Sequence, residues 1–472
     1  GKTTIIPLAM LDQRLDTRGK LLMLQPRRLT AIETARRMAQ LWGEPVGETV
    51  GYRIRHESMT SNRTRLEVIT DGILVRMLRH DANLEGVSCI FFDEFHERNL
   101  DSDLSFALLA QKLRNLPVRL MVMSATFGTL APQVAEILGE EDTSMIDCEG
   151  RCFPVTEHYA GVITLRDWEP QGPSAFAKIV AKQVKQALEE HEGDAMVFLP
   201  GEREIMYVWI ELNNMGLGDG KKPRNLVHWA HKLIDEKAVD LRKKVKVVPL
   251  YGTLEPAEQD RALRAETDGW RKVILATNIA ESSLTVPSVR IVIDSGLRKS
   301  KMGDTLTSLC EMSTIPVSKA SADQRRGRAG RVAPGVCYRL WSEEEHASLL
   351  QNDAPEIHCT DMTSAVLSLA VAGYTSDEEI SALPWVDAPH LRDLEDARTI
   401  LERLQALQKR PGGAWQLTQR GQDLAELPVQ PRVGHMIKQA HAVSDSFARD
   451  ACDLAALLEE RELLKGGRKL AG

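Results

Sequence analysis

Three groups of residues in this chain have the types and spacing of a phosphate-transfer site. The first group is Gly1-Lys2-Thr3-Thr4 at the start of the sequence. It matches the end of a phosphate loop, in which a lysine reaches the β- and γ-phosphate oxygens and a hydroxyl binds Mg²⁺. Four residues of this kind also occur by chance, so the match has weight only together with the other groups.

The second group is an acidic pair at the end of an apolar run. Residues 87–92 lead directly into Asp93 and Glu94, and open α/β sheets bind ligands at the carboxyl ends of parallel strands. Asp93 is placed there to hold Mg²⁺, and Glu94 to orient or deprotonate an attacking water. His96 would couple this site to a neighbouring domain. The alternative is a solvated corner between a strand and a helix, with a structural histidine beside it.

The third group, residues 324–331, is the most specific. Its sequence Gln-Arg-Arg-Gly-Arg-Ala-Gly-Arg contains four arginines and two glycines. Glycine allows close backbone approach, and the guanidinium fork matches phosphate oxygens. On a second α/β domain that faces the acidic pair, Arg328 and Arg331 would act as arginine fingers on a γ-phosphate. The alternative, a basic turn exposed to solvent, explains so dense a cluster less well.

Length and composition limit the classes of protein that can carry these groups. A chain of 472 residues has room for about three domains, and 43% hydrophobic with 27% charged residues is typical of globular proteins. No apolar stretch reaches the roughly 20 residues of a membrane span. Scattered cysteines indicate free thiols in a reducing cytoplasm. A net charge of −7 argues against a protein that coats nucleic acid by bulk positive charge.

Alternating apolar runs and helical patterns predict the parallel sheets that position these groups. In the first series, the predicted strands are 20–25, 66–70, 87–92 and 120–123, and the predicted helices are 29–42 and 72–79. The continuous apolar runs of the last two strands predict burial on both faces. A second series has predicted strands at 194–199, 246–250, 272–276 and 290–293, and predicted helices at 202–213 and 256–265.

The pattern becomes helical near residue 361. The predicted helices are 361–373, 391–408, 419–427 and 431–443, with a turn-rich stretch at 410–418. Helices that flank a short Gly-Gly hairpin are compatible with a winged-helix unit.

In this order, the groups resemble the motifs of superfamily 2 helicases of the DEAH/RHA group. Motifs I, II, V and VI of that group correspond to residues 1–4, 93–96, 277–287 and 324–331. Motifs Ia, Ib, III and IV correspond to residues 26–28, 70–72, 124–126 and 198–202. Motif II has Phe95 where most of the group has alanine, and with the following Glu97-Arg98 this is the form of the bacterial HrpB branch.

The resemblance implies an α/β fold of two tandem RecA-like parallel-sheet domains followed by a helical winged-helix and ratchet region. We expect these parts at residues 1–147, 148–345 and 355–472. Residues 216–244 are predicted to be an insertion, and 294–317 a β-hairpin that separates nucleic-acid strands, or else a plain β-meander. The resemblance implies that motif I here lacks its first half and the strand before it, and that the helical region is incomplete. The chain as it stands is therefore expected to fold poorly and to be inactive.

The resemblance also implies a role for each matched residue, with ATP and Mg²⁺ as the cofactors. The residues implied to bind the phosphates of ATP are Gly1, Lys2, Thr3 and Thr4, and those near Mg²⁺ are Thr3, Asp93 and Glu94. Glu94 would position water, and the second domain would complete the catalytic site with Gln324, Arg328 and Arg331. His96 belongs to the nucleotide site, and Arg37 would stack on the nucleotide base.

The remaining implied roles concern nucleic acid and coupling. Contacts with nucleic-acid phosphates are implied for Arg27, Arg28, Thr70, Gly201, Thr253 and Thr277. Ser124 and Thr126 would couple hydrolysis to movement, although such a tripeptide alone is also a common helix-capping turn.

The predicted function is an ATP-hydrolysing motor that moves on single-stranded or partly duplex RNA and unwinds duplexes, with DNA as a further substrate left open. The alternative is a nucleotide-gated RNA-binding clamp, or a remodelling scaffold for RNA–protein complexes, that does not unwind processively. An inactive fragment is a third possibility. We expect a cytoplasmic monomer without a membrane segment.

Overall fold

The computed structural model describes residues 2–14, 19–112, 118–125, 128, 130–139, 141, 143–147, 153–165, 172–218, 244–266, 269–281, 286, 288–303, 310–411 and 413–459. The chain divides into two compact units. The first comprises residues 1–147 and 354–461 with the segment 301–311, and the second is built from residues 148–300 and 312–353. Each unit contains a six-stranded sheet, so the predicted fold class is confirmed.

The first sheet carries the acidic pair. Its elements are α1 Lys2–Asp12, β1 Lys20–Gln25, α2 Arg28–Trp42, β2 Val50–Ile54, β3 Glu57–Met59, β4 Leu66–Thr70, α3 Asp71–His80, β5 Val87–Phe92, α4 Leu100–Lys112, β6 Arg119–Val122 and α5 Leu130–Leu138. The strand order is β3-β2-β4-β1-β5-β6. All neighbours are parallel except β2 and β3.

Strand register brings the polar ends of three strands to one edge of this sheet. Gln25 at the end of β1 lies beside Thr70 at the end of β4, and Leu24 lies beside Phe92 at the end of β5. All six residues of β5 are buried, as expected for a central strand covered on both faces. Asp93 therefore leaves the sheet next to Gln25.

The prediction that residues 120–123 are buried on both faces is wrong. Strand β6 pairs with β5 at the edge of the described sheet. Arg119 is exposed, and the next three side chains are half-buried. An apolar run alone does not distinguish a central strand from an edge strand.

The second sheet carries the arginine-rich group. Its strands are β7 Val155–Tyr159, β8 Asp194–Phe198, β9 Val245–Leu250, β10 Arg271–Ala276, β11 Val289–Asp294 and β14 Gly335–Arg339. They are parallel in the order β7-β14-β11-β8-β10-β9. The helices of this unit are α6 Gly172–Glu190, α7 Glu202–Asn214, α8 Pro256–Leu263, α9 Lys319–Gly327 and α10 Glu343–Ser348.

The predicted hairpin within 294–317 is present as a two-stranded sheet of β12 Leu297–Gly303 and β13 Cys310–Pro316. Most of the predicted insertion at 216–244 lies outside the described residues.

The helical region consists of α11 Thr363–Val371, α12 Asp377–Ser381, α13 Leu391–Arg403, β15 Leu407–Lys409, β16 Trp415–Leu417, α14 Gln419–Glu426, α15 Pro431–Val443 and α16 Asp445–Glu459. The predicted helix 391–408 is too long. Gln405 has a left-handed backbone with φ of 59°, and Leu407 then pairs with Leu417 across the antiparallel β15–β16 hairpin.

One apolar core joins this helical region to the first sheet. Leu104 and Leu108 of α4 lie in the same buried cluster as Leu369 of α11 and Leu394 of α13. The helices that cover one face of the first sheet are therefore packed directly against the helical region. Leu100, two residues after Arg98, belongs to the same cluster.

The described residues contain no helix that is both long and apolar enough to span a bilayer. Among the same residues, Cys89, Cys337 and Cys452 are free thiols, of which the first two are buried.

Candidate active site

The edge formed by β1 and β5 gathers the residues predicted to bind phosphate and metal. Gln25 Nε2 donates to Asp93 Oδ2 at 2.7 Å, and the Thr3 hydroxyl also hydrogen-bonds Asp93. Lys2 Nζ lies 3.6 Å from Asp93 Oδ1 and 3.5 Å from Glu94 Oε2. Lys2 begins α1, and the N-terminus of a helix favours anions. Asp93, Glu94, Lys2 and Thr3 therefore form one cluster.

Burial makes the Asp93 carboxylate costly to charge. Burial and the neighbouring Glu94 raise its pKa to about 6, although Lys2 and the hydrogen bonds from Gln25 and Thr3 act in the opposite direction. Asp93 Oδ1 and Lys2 Nζ are both buried atoms without a hydrogen-bond partner. One is an acceptor suited to a cation, and the other is a donor suited to an oxyanion.

Backbone geometry aims the acidic pair out of the sheet. Glu94 has φ 51° and ψ 38°, in the left-handed region, which costs a non-glycine residue of order 1–3 kcal/mol and persists when surrounding contacts hold it. Those contacts are Phe95 N–H donating to Met123 O at 3.1 Å and Met123 N–H donating to Phe92 O at 2.8 Å. The turn after β5 is thus attached to the end of β6.

Phe95, the residue that departs from the usual motif II, is part of the core. It is 2% exposed, and its ring centroid lies 5.1 Å from that of Phe106 and 6.0 Å from that of Phe92. Aromatic pairs at such distances stabilise a fold beyond their buried area. The phenyl group anchors the turn and leaves both acids in place.

His96 and Ser124 lie together, as motifs II and III would require. His96 Nδ1 lies 3.0 Å from Ser124 Oγ and 3.7 Å from Glu94 Oε2. Ser124 follows β6, so this contact joins the ends of β5 and β6 beside the acidic pair. Thr126 and Gly1 lie outside the described residues.

The other predicted residues of the first unit lie around the same edge or on α2. Arg27 Nη2 contacts Glu97 Oε2 at 3.2 Å, and Arg28 is exposed. Thr70 precedes α3 and makes no side-chain capping bond to that helix. Arg37 is exposed on α2 and donates to Gln40 Oε1 at 2.8 Å. Thr4 is half-buried in the first turn of α1.

In the second unit, three predicted nucleic-acid contacts share one sheet edge. Phe198, Leu250 and Ala276 lie in register across β8, β9 and β10. The residues that follow these strand ends are Gly201, Thr253 and Thr277. Thr253 Oγ1 donates to Glu202 Oε2 at 3.4 Å.

The arginines of residues 324–331 differ in their surroundings. Arg325, which the sequence analysis did not select, is 1% exposed and contacts Asp294 Oδ1 at 2.8 Å and Glu281 Oε2 at 3.2 Å. Arg328 is buried and donates to the main-chain oxygen of Glu281. Arg331 is exposed and Gln324 half-buried. Gln25 was also missed, although a polar residue that ends a strand beside the acidic pair was a usable signal.

Comparisons with known proteins agree with this geometry. Residues 1–133 match the family model of the DEAD/DEAH box helicases, and residues 180–333 match that of the helicase conserved C-terminal domain. The chain therefore belongs to the superfamily 2 helicases, in their DEAH/RHA group.

The similarity extends to HrpB over nearly the whole chain. The ATP-dependent RNA helicase HrpB of Escherichia coli is 34% identical over 462 residues, which cover 98% of this chain and 51% of HrpB. The HrpA homolog of Haemophilus influenzae is 33% identical over 93% of this chain and 31% of its own length. A crystal structure of the E. coli DEAH/RHA helicase HrpB superposes with a TM-score of 0.82 at 33% identity, covering 98% of this chain and 53% of that one. The chain thus spans about half the length of HrpB.

A buried acid on the motif Ib turn gives a pH prediction. Burial raises the pKa of Asp71 to about 7, opposed by a hydrogen bond from Asn99 and reinforced by the carboxylates of Asp101, Glu97 and Glu356. Between pH 4 and 7 the folded state therefore holds a proton that the unfolded state has lost. Asp71 then lowers stability progressively as pH rises through this window.

As pH rises from 5 to 8, we expect the free energy of unfolding of Asp71→Asn to increase by about 3 kcal/mol relative to that of the unaltered protein. Thermal unfolding of both proteins across this range measures the difference. Asp12→Asn, at an exposed position on α1, is the control for the same chemical change. If the stability difference between Asp71→Asn and the unaltered protein did not change with pH, the Asp71 carboxylate would not be destabilised by burial.

Proposed function

We propose that the chain forms the motor core of an ATP-dependent RNA helicase, which couples ATP hydrolysis to movement along single-stranded RNA and to duplex unwinding. The observation that carries this proposal is the cluster of Lys2, Asp93 and Glu94, with Lys2 Nζ 3.5–3.6 Å from both acids. The names of HrpB and the HrpA homolog, both ATP-dependent RNA helicases, support the same activity.

In this proposal, each member of the cluster has one task. Lys2 binds the β- and γ-phosphate oxygens, and Glu94 accepts a proton from, or orients, the attacking water. His96 and Ser124 connect this site to the end of β6. Gln324, Arg328 and Arg331 of the second unit are the remaining proposed catalytic residues, because guanidinium groups stabilise the charge that develops on transferring phosphoryl groups.

The donor set suits Mg²⁺. Asp93 Oδ1 is buried without a hydrogen-bond partner, and Thr3 offers a hydroxyl beside it. Among the described residues, no group of three or more His, Cys, Asp or Glu side chains forms a cage for a metal ion, and Mg²⁺ is commonly held by one or two carboxylates plus substrate phosphates. Thr3 and Asp93 would hold the ion directly, with Glu94 adjacent. When bound, Mg²⁺ neutralises negative charge on the phosphate oxygens.

Two sheet edges supply contacts for a nucleic-acid strand. On the first, Arg27 and Arg28 follow the end of β1 and Thr70 is the last residue of β4. On the second lie Gly201, Thr253 and Thr277. Arginine, hydroxyl and main-chain groups are the usual partners of nucleic-acid phosphates, and they position a strand without reading its sequence. Such local contacts are compatible with the net charge of −7.

The test measures hydrolysis and unwinding in the intact protein. We expect single-stranded RNA to raise the rate of ATP hydrolysis at least ~5-fold, and ATP to drive displacement of a strand from an RNA duplex with a 3′ overhang. A rate that neither single-stranded RNA nor DNA changes would exclude a motor. Stimulation without strand displacement would instead support a nucleotide-gated clamp. Cytoplasmic location and a monomeric state stay predictions.

A further inference from the structure

Three consecutive residues after motif II make contacts in three different directions. We call Glu97-Arg98-Asn99 the coupling segment. Glu97 Oε2 lies 3.2 Å from Arg27 Nη2, in the loop after β1. Asn99 Nδ2 donates to Asp71 Oδ2 at 3.2 Å, at the start of α3 and next to Thr70. The segment thus contacts residues beside both strand ends of the first sheet that the proposed function assigns to nucleic acid.

Arg98 attaches the same segment to the helical region. Its guanidinium donates to both Asp103 oxygens at 2.9–3.2 Å and to Asp387 Oδ2 at 2.7 Å. Glu356 N–H donates to Arg98 O at 3.0 Å, and Glu356 Oε2 accepts from Leu100 N–H at 3.0 Å. Arg98 is 7% exposed, and a guanidinium fork held by two carboxylates has a fixed orientation.

The coupling segment belongs to the same turn as the hydrolytic acid. Glu97 N–H donates to Glu94 O at 2.9 Å, and Arg98 N–H donates to Phe95 O at 3.2 Å. Glu94 and Arg98 at the two ends of this turn both have left-handed backbones, with φ of 51° and 49°. A strained turn keeps its shape only while neighbouring contacts hold it. A shift of the coupling segment is therefore transmitted to the main chain of Glu94.

Arg27 gives nucleic acid a direct route to this turn. The proposed function assigns its guanidinium to a nucleic-acid phosphate, and in the structure it is paired with Glu97, with its side chain 25% exposed. A phosphate that binds Arg27 competes with the Glu97 carboxylate for the same donors. Binding of a strand would change the contacts of a residue three positions from Glu94.

From these contacts we infer that the coupling segment is a positioning element that makes ATP hydrolysis at Glu94 respond to nucleic acid and to the helical region. The inference rests on the proposed function. Glu97, Arg98 and Asn99 have no contact with ATP in this inference. Their substitution should therefore affect coupling to RNA and not the hydrolysis step itself. Removing one link should lower the stimulation by RNA and leave both basal hydrolysis and RNA affinity nearly unchanged.

Asn99→Ala tests the link to the motif Ib turn in the intact protein. We expect basal ATP hydrolysis and the RNA concentration for half-maximal effect to stay within about twofold, whereas the stimulation at saturating RNA falls ~5- to 100-fold, the usual range of coupling between sites. Asp387→Asn should act in the same way through Arg98. Gln111→Ala, at an exposed position on α4, the helix that follows Asn99, is the matched control and should keep full stimulation.

A residue swap separates coupling from a general loss of structure. Asn99→Asp replaces the amide donor with a second acid beside the buried Asp71 and should lose stimulation. The double variant Asp71→Asn with Asn99→Asp restores an amide–carboxylate pair and should recover it, which a double-mutant cycle quantifies. Stimulation retained in Asn99→Ala, or no recovery in the swap, would overturn the inference alone. Weaker RNA binding with full stimulation at saturation would also overturn it. Absence of RNA stimulation in the unaltered protein would overturn the proposed function as well.

Discussion

Glu94→Gln should abolish ATP turnover and leave nucleotide binding intact. The amide keeps the size of the side chain, but it cannot accept a proton from the attacking water, and loss of a general base typically lowers a rate by ~100- to 10,000-fold. Lys2 Nζ retains Asp93 Oδ1 at 3.6 Å, and Gln25 continues to hold the other Asp93 oxygen at 2.7 Å. The variant therefore keeps Asp93 and its amide partner, and Lys2 keeps one of its two carboxylate neighbours.

The measurement combines RNA-stimulated ATP hydrolysis with binding of a fluorescent ATP analogue in the intact protein. Because Glu94 is one cause of the raised pKa of Asp93, the variant should also bind nucleotide at slightly lower pH than the unaltered protein. Glu33→Gln is a suitable control, since Glu33 pairs with Arg36 on α2, away from the acidic cluster. Normal turnover in Glu94→Gln would remove Glu94 from the role of base.

The placement of Asp93 and Glu94 was predictable because buried parallel strands have a strong sequence signature. The predicted strands 20–25, 66–70 and 87–92 match β1, β4 and β5 to the residue. Where such strands end, the chain must leave the sheet, so polar residues at those positions share one edge. That reasoning located the acids without any knowledge of packing, whereas Thr70 came from the resemblance to motif Ib.

The parts that failed depend on tertiary neighbours. The half-buried state of β6 is set by its position at the sheet edge, and the end of α13 at Arg403 by the pairing of β15 with β16. No periodic sequence pattern predicts the contacts of the coupling segment, because they are distant in the sequence. Glu97 contacts Arg27, which is 70 positions away, and Asn99 contacts Asp71, which is 28 positions away. Local propensity contains no information on such pairings.

The arginine-rich group shows the same limit in one stretch of chain. Residues 325, 326, 328 and 331 are all arginine, and guanidinium chemistry alone assigns each of them to phosphate. Burial divides them: Arg325 lies in the core of the second unit, whereas Arg331 is exposed. A structural arginine inside a catalytic motif is distinguished only by its partners.

Arg325→Ala should therefore lower the free energy of unfolding of the second unit by about 3–5 kcal/mol. Burial lowers the pKa of Arg325, but Asp294 and Glu281 outweigh that effect and raise it, so the guanidinium stays charged. Asp294 is 0% exposed, and truncation of its partner leaves a buried carboxylate without compensation. The Arg325 guanidinium also lies 5.0 Å from the Phe198 ring, so packing at the end of β8 is lost as well.

Thermal and denaturant unfolding of the intact protein measure this loss, and three further arginine variants define its origin. Arg325→Lys keeps the charge but not the fork, so its loss should be smaller. Arg326→Ala removes the ion pair with Glu157, in which the Arg326 side chain is 38% exposed. It should lower the free energy of unfolding by less than about 1 kcal/mol. Arg331→Ala should keep the melting temperature and lose ATP hydrolysis. An Arg325→Ala protein as stable as the unaltered one would mean that Asp294 finds another partner, and the distinction between a structural and a catalytic arginine in this motif would fail.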